Sequence, residues 1–175
     1  RNPYYPEQVS RYALNPAVVD ALSFCTKNPG PMLNRLAELR AFGQFWYVTI
    51  TPYGKEIEPG VPDKEKVMDS FCRLAEIAGV RAVGWRYDPI FITEKYSLDF
   101  HLKAFRQMAG RLAGHTRRCV ISFIDLYEKT RRNFPGVRSV TKKERRNIGR
   151  EFAAVGREYG IRLYTCCEGD ELEVY

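Results

Sequence analysis

Arg81-Ala82-Val83-Gly84-Trp85-Arg86-Tyr87-Asp88-Pro89 is the stretch on which the reading of this chain turns. A short apolar and aromatic run passes directly into a polar ending punctuated by proline, and a helical pattern follows. Two further runs end in the same way, one in Thr26-Lys27-Asn28-Pro29 and one in Thr51-Pro52-Tyr53-Gly54. A strand that closes on polar residues before a helix has the form of a strand finishing in an active-face loop. Polar groups are thereby gathered at one rim of a sheet, which points to a pocket in an α/β protein.

Working outward from these endings, strands are expected at residues 21–26, 45–51, 81–86, 119–123 and 161–165, with a short further strand near 9–14 in the Pro-rich opening. The first helix starts at Pro31, a favourable first helical residue, carries Met32, Leu36 and Leu39 as a stripe, and is stopped by Gly43. The second follows Asp63, with Val67, Phe71, Leu74 and Ala78 at helical spacing up to Gly79. The third runs from Ser97 with Leu98, Leu102, Phe105, Ala109 and Leu112 on one side. Thr141 and Glu144 form a capping box for the last, whose stripe is Ile148, Phe152, Val155 and Tyr159 and whose stop is Gly160. A helical turn is expected at 126–132.

Strands that alternate with helices predict parallel pairing through right-handed crossovers. The spacing suits a (β/α) barrel or a doubly wound sheet, and five strands are too few to close an eight-stranded barrel. The expected architecture is α/β, built of parallel (β/α) units as an open sheet or a partial TIM-like barrel. Residues 1–175 form one such domain, read as part of a longer chain because no initiator Met stands before Arg1. No Gly-x-Gly-x-x-Gly or Walker-type loop follows any strand, against dinucleotide or nucleoside-triphosphate folds.

Composition bounds the rest. A chain of 175 residues, 45% hydrophobic and 13% aromatic, can bury a sizeable core. No apolar run nears the roughly 18 residues of a membrane span, and no secretory signal opens the sequence, so neither membrane nor export is expected. Cys25, Cys72, Cys119, Cys166 and Cys167 are odd in number, which suits a reducing cytoplasm better than a disulfide framework. The first four lie 47 residues apart, but they fall in unlike elements and do not mark a repeat. No C-x-x-C pair exists, so a zinc or iron–sulfur site made by this segment alone is not expected. Between Arg117 and Arg150, eleven Lys or Arg stand against Asp125, Glu128 and Glu144, a basic zone that suits either a solvated helix face or a polyanion such as nucleic acid.

Lys27, Asn28, Thr51, Tyr53, Arg86, Asp88, Asp125 and Tyr127 are expected to converge on the rim. Such a set can bind an anionic ligand and move protons, with Asp88, Asp125 and Lys27 as catalytic candidates and Asn28, Thr51, Tyr53, Arg86 and Tyr127 as ligand contacts. Each has a structural reading beside it: Arg86 and Asp88 can simply pair, Asp125 can cap a helical turn, and Tyr53 beside Gly54 can pack in a turn. His101 and His115 have no second ligand at metal spacing and are read as structural or solvent-facing. The Cys166-Cys167 pair ends the fifth strand, either as buried small residues or, at Cys166, as a weak metal or redox candidate.

Taken together, Arg1 to Tyr4, Thr26 to Pro29, Thr49 to Gly54, Trp85 to Ile90, and Cys119 to Phe123 with Asp125 and Tyr127 resemble an uncharacterised family, domain of unknown function 1848, over nearly the whole chain. Members resemble radical S-adenosylmethionine proteins through a cysteine cluster near their carboxyl terminus. The resemblance implies a partial barrel holding a four-iron cluster and S-adenosylmethionine, with Lys27, Asn28, Thr51, Arg86, Asp88 and Asp125 positioning cofactor and substrate. It implies that Arg86 or Lys27 holds the cofactor carboxylate and that Asp88 or Asp125 holds ribose hydroxyls or an amine. Relative to the family, the chain lacks the first strand upstream of Arg1, stops at Tyr175 before the cysteine cluster, and has Cys25 where Trp is frequent. The leading expectation is therefore the barrel body of a radical S-adenosylmethionine-like enzyme acting on a small-molecule ligand. The alternatives are a nucleic-acid-binding or repair-associated module using residues 117–150, and a metal-free barrel hydrolase or lyase.

Overall fold

In the computed structural model, which describes residues 4–166 and 168, five strands form one parallel sheet. They are β1 (Ala21–Thr26), β2 (Gly43–Thr49), β3 (Val83–Ile90), β4 (Arg118–Phe123) and β5 (Arg162–Thr165). The helices are α1 (Lys64–Ala78), α2 (Leu98–Leu112), α3 (Glu128–Asn133) and α4 (Lys142–Glu158). Strand order in space is the order in sequence, β1-β2-β3-β4-β5, with every pair parallel. A doubly wound sheet must reverse its order at a switch point, and this one never does. The fold is four successive units of (β/α)-barrel type followed by a fifth strand, in a sheet that does not close.

Alternation along the strands divides the sheet into two unlike faces. Trp46, Val48, Val83, Trp85, Tyr87, Cys119, Ile121 and Leu163 are buried in one core with Phe71 and Leu74 of α1, Phe105 and Met108 of α2, and Ile148 and Phe152 of α4. A column of rings ties the layers together: Trp85 stacks on Phe105 at 4.9 Å between centroids, and Phe105 on Phe152 at 3.8 Å. Each such pair adds about 0.5–1.5 kcal/mol beyond burial itself. The opposite face, bearing Tyr47, Arg86, Arg118, Val120 and Tyr164, is only partly buried.

The helix ends follow the expected chemistry. Asp63 accepts from the Glu65 amide at 3.0 Å to cap α1, and Ser97 accepts from the Phe100 amide to cap α2. The Thr141–Glu144 capping box of α4 is complete in both directions.

Four expectations are corrected. The first helical segment, Gly30–Leu39, is 3-10 in form. Leu33 and Leu36 are buried and Leu39 partly so, a period of three that a 3-10 turn places on one face. Residues 9–14 form no strand and are exposed, since no partner strand meets them among the described residues. β2 ends at Thr49, and β3 starts later and runs further than expected, carrying the Arg86–Pro89 signature inside the strand. A register shift against β4 between Tyr87 and Ile90 takes Asp88 and Pro89 out of the ladder, which is how a proline is tolerated in a central strand. No described helix is long and apolar enough to cross a membrane.

Candidate functional site

The face opposite α1, α2 and α4 is layered by the parallel register. Cys25 of β1 lies beside Tyr47 of β2, and Tyr47 beside Gly84 of β3. One level on, Thr49, Arg86, Val120 and Tyr164 are successive partners across β2 to β5. Gly84 matters here because a Cβ in its place would come within 3.3 Å of both the Arg118 stem and the Tyr47 ring. Its absence lets the Arg118 side chain lie across β3 and bring its guanidinium 5.0 Å from the Phe45 centroid. The result is a cleft of about 340 Å³ lined by Tyr47, Arg86, Arg118, Val120, Tyr164, Thr165 and Cys166.

Arg86 and Asp88 form an ion pair on this face, and Ser122 of β4 donates its hydroxyl to the other carboxylate oxygen of Asp88. The Arg86 guanidinium also sits 6.0 Å from the Tyr47 ring centroid. Its Nε is buried and has no hydrogen-bond partner among the described residues. A guanidinium half removed from water with a donor unanswered is poised for an acceptor.

The backbone that presents Asp88 is pinned from behind. Tyr53 donates its hydroxyl to the Pro89 carbonyl at 2.7 Å and accepts from the Phe91 amide at 3.3 Å. His101, fully buried, hydrogen-bonds Tyr87 at 2.8 Å through Nδ1 and the Phe91 carbonyl at 2.9 Å through Nε2. Since a carbonyl only accepts, Nε2 carries the proton and Tyr87 donates to Nδ1. Burial lowers the His101 pKa and pushes the Tyr87 and Tyr53 phenols well up, so all three stay neutral. Tyr53 packs with Phe91 and Tyr96 in a satellite core, the packing reading given beside its ligand reading, and anchors the backbone there. His101 matches its structural reading.

At the rim, Lys27 and Thr51 do converge, on a residue that the sequence reading missed. Glu58, in the loop between β2 and α1, pairs with Lys27 and Lys64 and accepts from the Thr51 hydroxyl at 2.8 Å. Burial works to raise its pKa, but these partners outweigh it and leave the carboxyl below its usual range. Thr51 is buried, with its hydroxyl directed to Glu58. Asn28 closes a turn after β1, its Oδ1 accepting from the Gly30 amide at 3.1 Å. Asp125 and Tyr127 are exposed beyond β4, and the Tyr127 hydroxyl donates to the Asp125 carboxylate at 3.3 Å. Nothing periodic in Gly54-Lys55-Glu56-Ile57-Glu58 marks its last residue, whereas Arg118 and Ser122 could have been found by extending the alternation of β4 by one residue.

Among the described residues, the cysteines do not make a cluster site. Cys72 and Cys119 are buried in the core, where loss of water pushes both thiols up, while Cys25 is exposed on β1 and Cys166 half-buried beyond β5. No three His, Cys, Asp or Glu side chains among the described residues come together as metal ligands. Cys167 lies outside the described residues. The basic zone is divided: Arg138 pairs with Glu144, and Arg145 with Glu168 at 2.6 Å, whose other oxygen caps the Phe123 amide. Lys142, Lys143, Arg146 and Arg150 line a separate groove of about 770 Å³ beside Leu98.

Among solved structures, the chain is similar to spore photoproduct lyase complexed with a dinucleoside spore photoproduct, with a TM-score of 0.60 and 16% identity over 83% of this chain and 51% of that one. It also aligns with an IolI protein with a bound zinc atom, at a TM-score of 0.43 and 13% identity over 82% of this chain and 51% of that one. The chain thus spans about half the length of these structures. The first likeness bears on the fold alone, and the second carries no weight. No curated protein sequence matches the chain. The sequence profile described as Domain of unknown function (DUF1848) matches residues 1–175.

Proposed function

The chain belongs to the DUF1848 family, and from that membership and its fold we propose that it is the barrel body of a radical S-adenosylmethionine-like iron–sulfur enzyme whose substrate enters on the face opposite α1, α2 and α4. The observation that carries this reading is the cleft over β2 to β5. There Arg86, oriented by Asp88 and Ser122, stands with a buried donor unanswered among the described residues, on the face opposite α1, α2 and α4. Ligands of (β/α) proteins bind towards the carboxyl ends of their strands; Asp88 and Ser122 stand there, while Arg86 lies mid-strand and Arg118 opens β4.

The described residues do not fit a four-iron cluster, so its thiolates would have to be other residues, and no chemical step is assigned through it. What this chain supplies is binding and orientation. Arg86 offers a fixed fork of donors to an anionic group, and Asp88, held by two partners, keeps that fork from turning. Glu58, fixed by Lys27, Lys64 and Thr51, ties the β2–α1 loop to the rim.

Purification of the full-length protein without oxygen, iron analysis and electron paramagnetic resonance with and without S-adenosylmethionine test the reading. A reducible four-iron signal perturbed by the cofactor is expected. An iron-free protein that no reconstitution loads overturns it and leaves the metal-free hydrolase or lyase as the enzyme reading.

A second reading rests on a different place, the groove lined by Lys142, Lys143, Arg146 and Arg150. If it tracks a nucleic-acid backbone, affinity for single- or double-stranded DNA or RNA falls steeply with salt and further as these cations are removed. Absent or salt-insensitive binding dismisses it.

A further inference from the structure

Among the described residues, the sheet face opposite α1, α2 and α4 carries more positive charge than its acids answer. Arg86 is met by Asp88, but Arg118 and Arg162 meet only rings, Phe45 at 5.0 Å and Tyr164 at 5.4 Å. Neither guanidinium has an acid partner among the described residues, and Arg86 keeps a buried Nε without an acceptor. A guanidinium withdrawn from bulk water is stable only if something accepts from its donors. A carboxylate brings one negative charge to such a place. A phosphomonoester brings close to two at neutral pH, with three acceptor oxygens that suit arginine forks.

The remaining walls define what the anion is attached to. Tyr47 and Tyr164 flank the cleft and Val120 stands beside Arg86 in the same row, so ring and methyl surface, with Thr165 and Cys166, make up the non-ionic lining. A volume of about 340 Å³ admits one small ligand and not a strand of several nucleotides.

We propose that this cleft binds a phosphomonoester of a planar, ring-bearing compound, as in a mononucleotide, with the phosphate taken by Arg86 and Arg118 and the ring lying against the tyrosines. This inference rests on the proposed function only for the placing of the substrate on this face; its chemistry depends on the arginines and rings themselves.

Calorimetric titration of the purified protein with adenosine 5′-monophosphate, adenosine and inorganic phosphate tests it. The monophosphate is expected to bind about tenfold or more tighter than either adenosine or phosphate, as charge-assisted contacts to two arginines require. Arg118→Gln, at a half-exposed residue without an ion-pair partner among the described residues, is expected to remove about tenfold of that affinity and leave near-ultraviolet circular dichroism unchanged. Arg86→Gln is expected to act in the same direction. Adenosine binding as tightly as its monophosphate, an affinity unaltered in Arg118→Gln, or no binding of the monophosphate overturns the inference. The readout is independent of iron: an iron-free protein that discriminates the monophosphate removes only the cluster reading, and a cluster-bearing protein that does not discriminate removes only this one.

Discussion

At the scale of single residues, the site is held by groups that face away from it. His101 and Tyr53 never reach the cleft, yet between them they fix the Tyr87, Pro89 and Phe91 positions from which Asp88 projects. Removing the imidazole would leave the Tyr87 hydroxyl and the Phe91 carbonyl buried without a partner, so His101→Ala is expected to cost roughly 2–4 kcal/mol of stability in urea unfolding. The neutral state of His101 also sets a pH dependence. Burial holds its folded pKa below the ordinary 6.5, so the unfolded chain takes up the proton first as pH falls. The stability contributed by the neutral ring is therefore complete above about pH 6.5 and is lost progressively below it, towards the lower folded pKa. Thermal melting between pH 7.5 and pH 5 is expected to show a falling midpoint, with a shallower fall in His101→Ala. Equal slopes would place the acid sensitivity elsewhere. None of this was legible from sequence beyond the absence of a second metal ligand near His101, because the partners at Tyr87 and Phe91 are set by how α2 packs on β3. Glu58 escaped notice for the same reason: its role comes from a loop folding back onto Lys27, Lys64 and Thr51.

At the scale of elements, the helices are where sequence and structure agree best. Asp63, Ser97 and Thr141 all cap as their local patterns indicate, since a cap is satisfied by amides two or three residues away and needs no tertiary context. The 3-10 segment at Gly30–Leu39 departs from expectation because Leu33, Leu36 and Leu39 suit a three-residue period as well as Met32, Leu36 and Leu39 suit an α-helical one. The joint between α4 and β5 is tighter than any periodicity reveals. A Cβ on Gly156 would stand 2.4 Å from the Ile161 carbonyl oxygen, a backbone atom that cannot swing aside. Gly156→Ala is expected to destabilise the protein by roughly 1–3 kcal/mol, where an exposed helical glycine would gain from the same change. Chemical denaturation of the variant checks this, and a neutral or stabilising result would show that β5 can shift to make room.

At the scale of the whole molecule, one core joins β1 through β5 with α1, α2 and α4, and Trp46 and Trp85 both lie in it. Unfolding is accordingly expected to be a single transition, with tryptophan fluorescence and far-ultraviolet circular dichroism coincident in denaturant. Separated transitions would divide the chain into more than one cooperative unit. The sequence by itself determined the α/β class, the five strands of the sheet to within a few residues, most of the helix ends, and Arg86 and Asp88 as close neighbours at one strand ending. These follow from period, capping and turn chemistry, all of which act over a few residues. Only the tertiary structure decided that the strands run in unbroken order, that every helix of the core lies on one face, and that Arg86 shares a cleft with Arg118, Tyr47 and Tyr164 while Asp125 and Tyr127 stand outside it. Those outcomes depend on which strand pairs with which and in what register, a choice made by long-range packing of Trp85, Phe105 and Phe152 that no local pattern encodes.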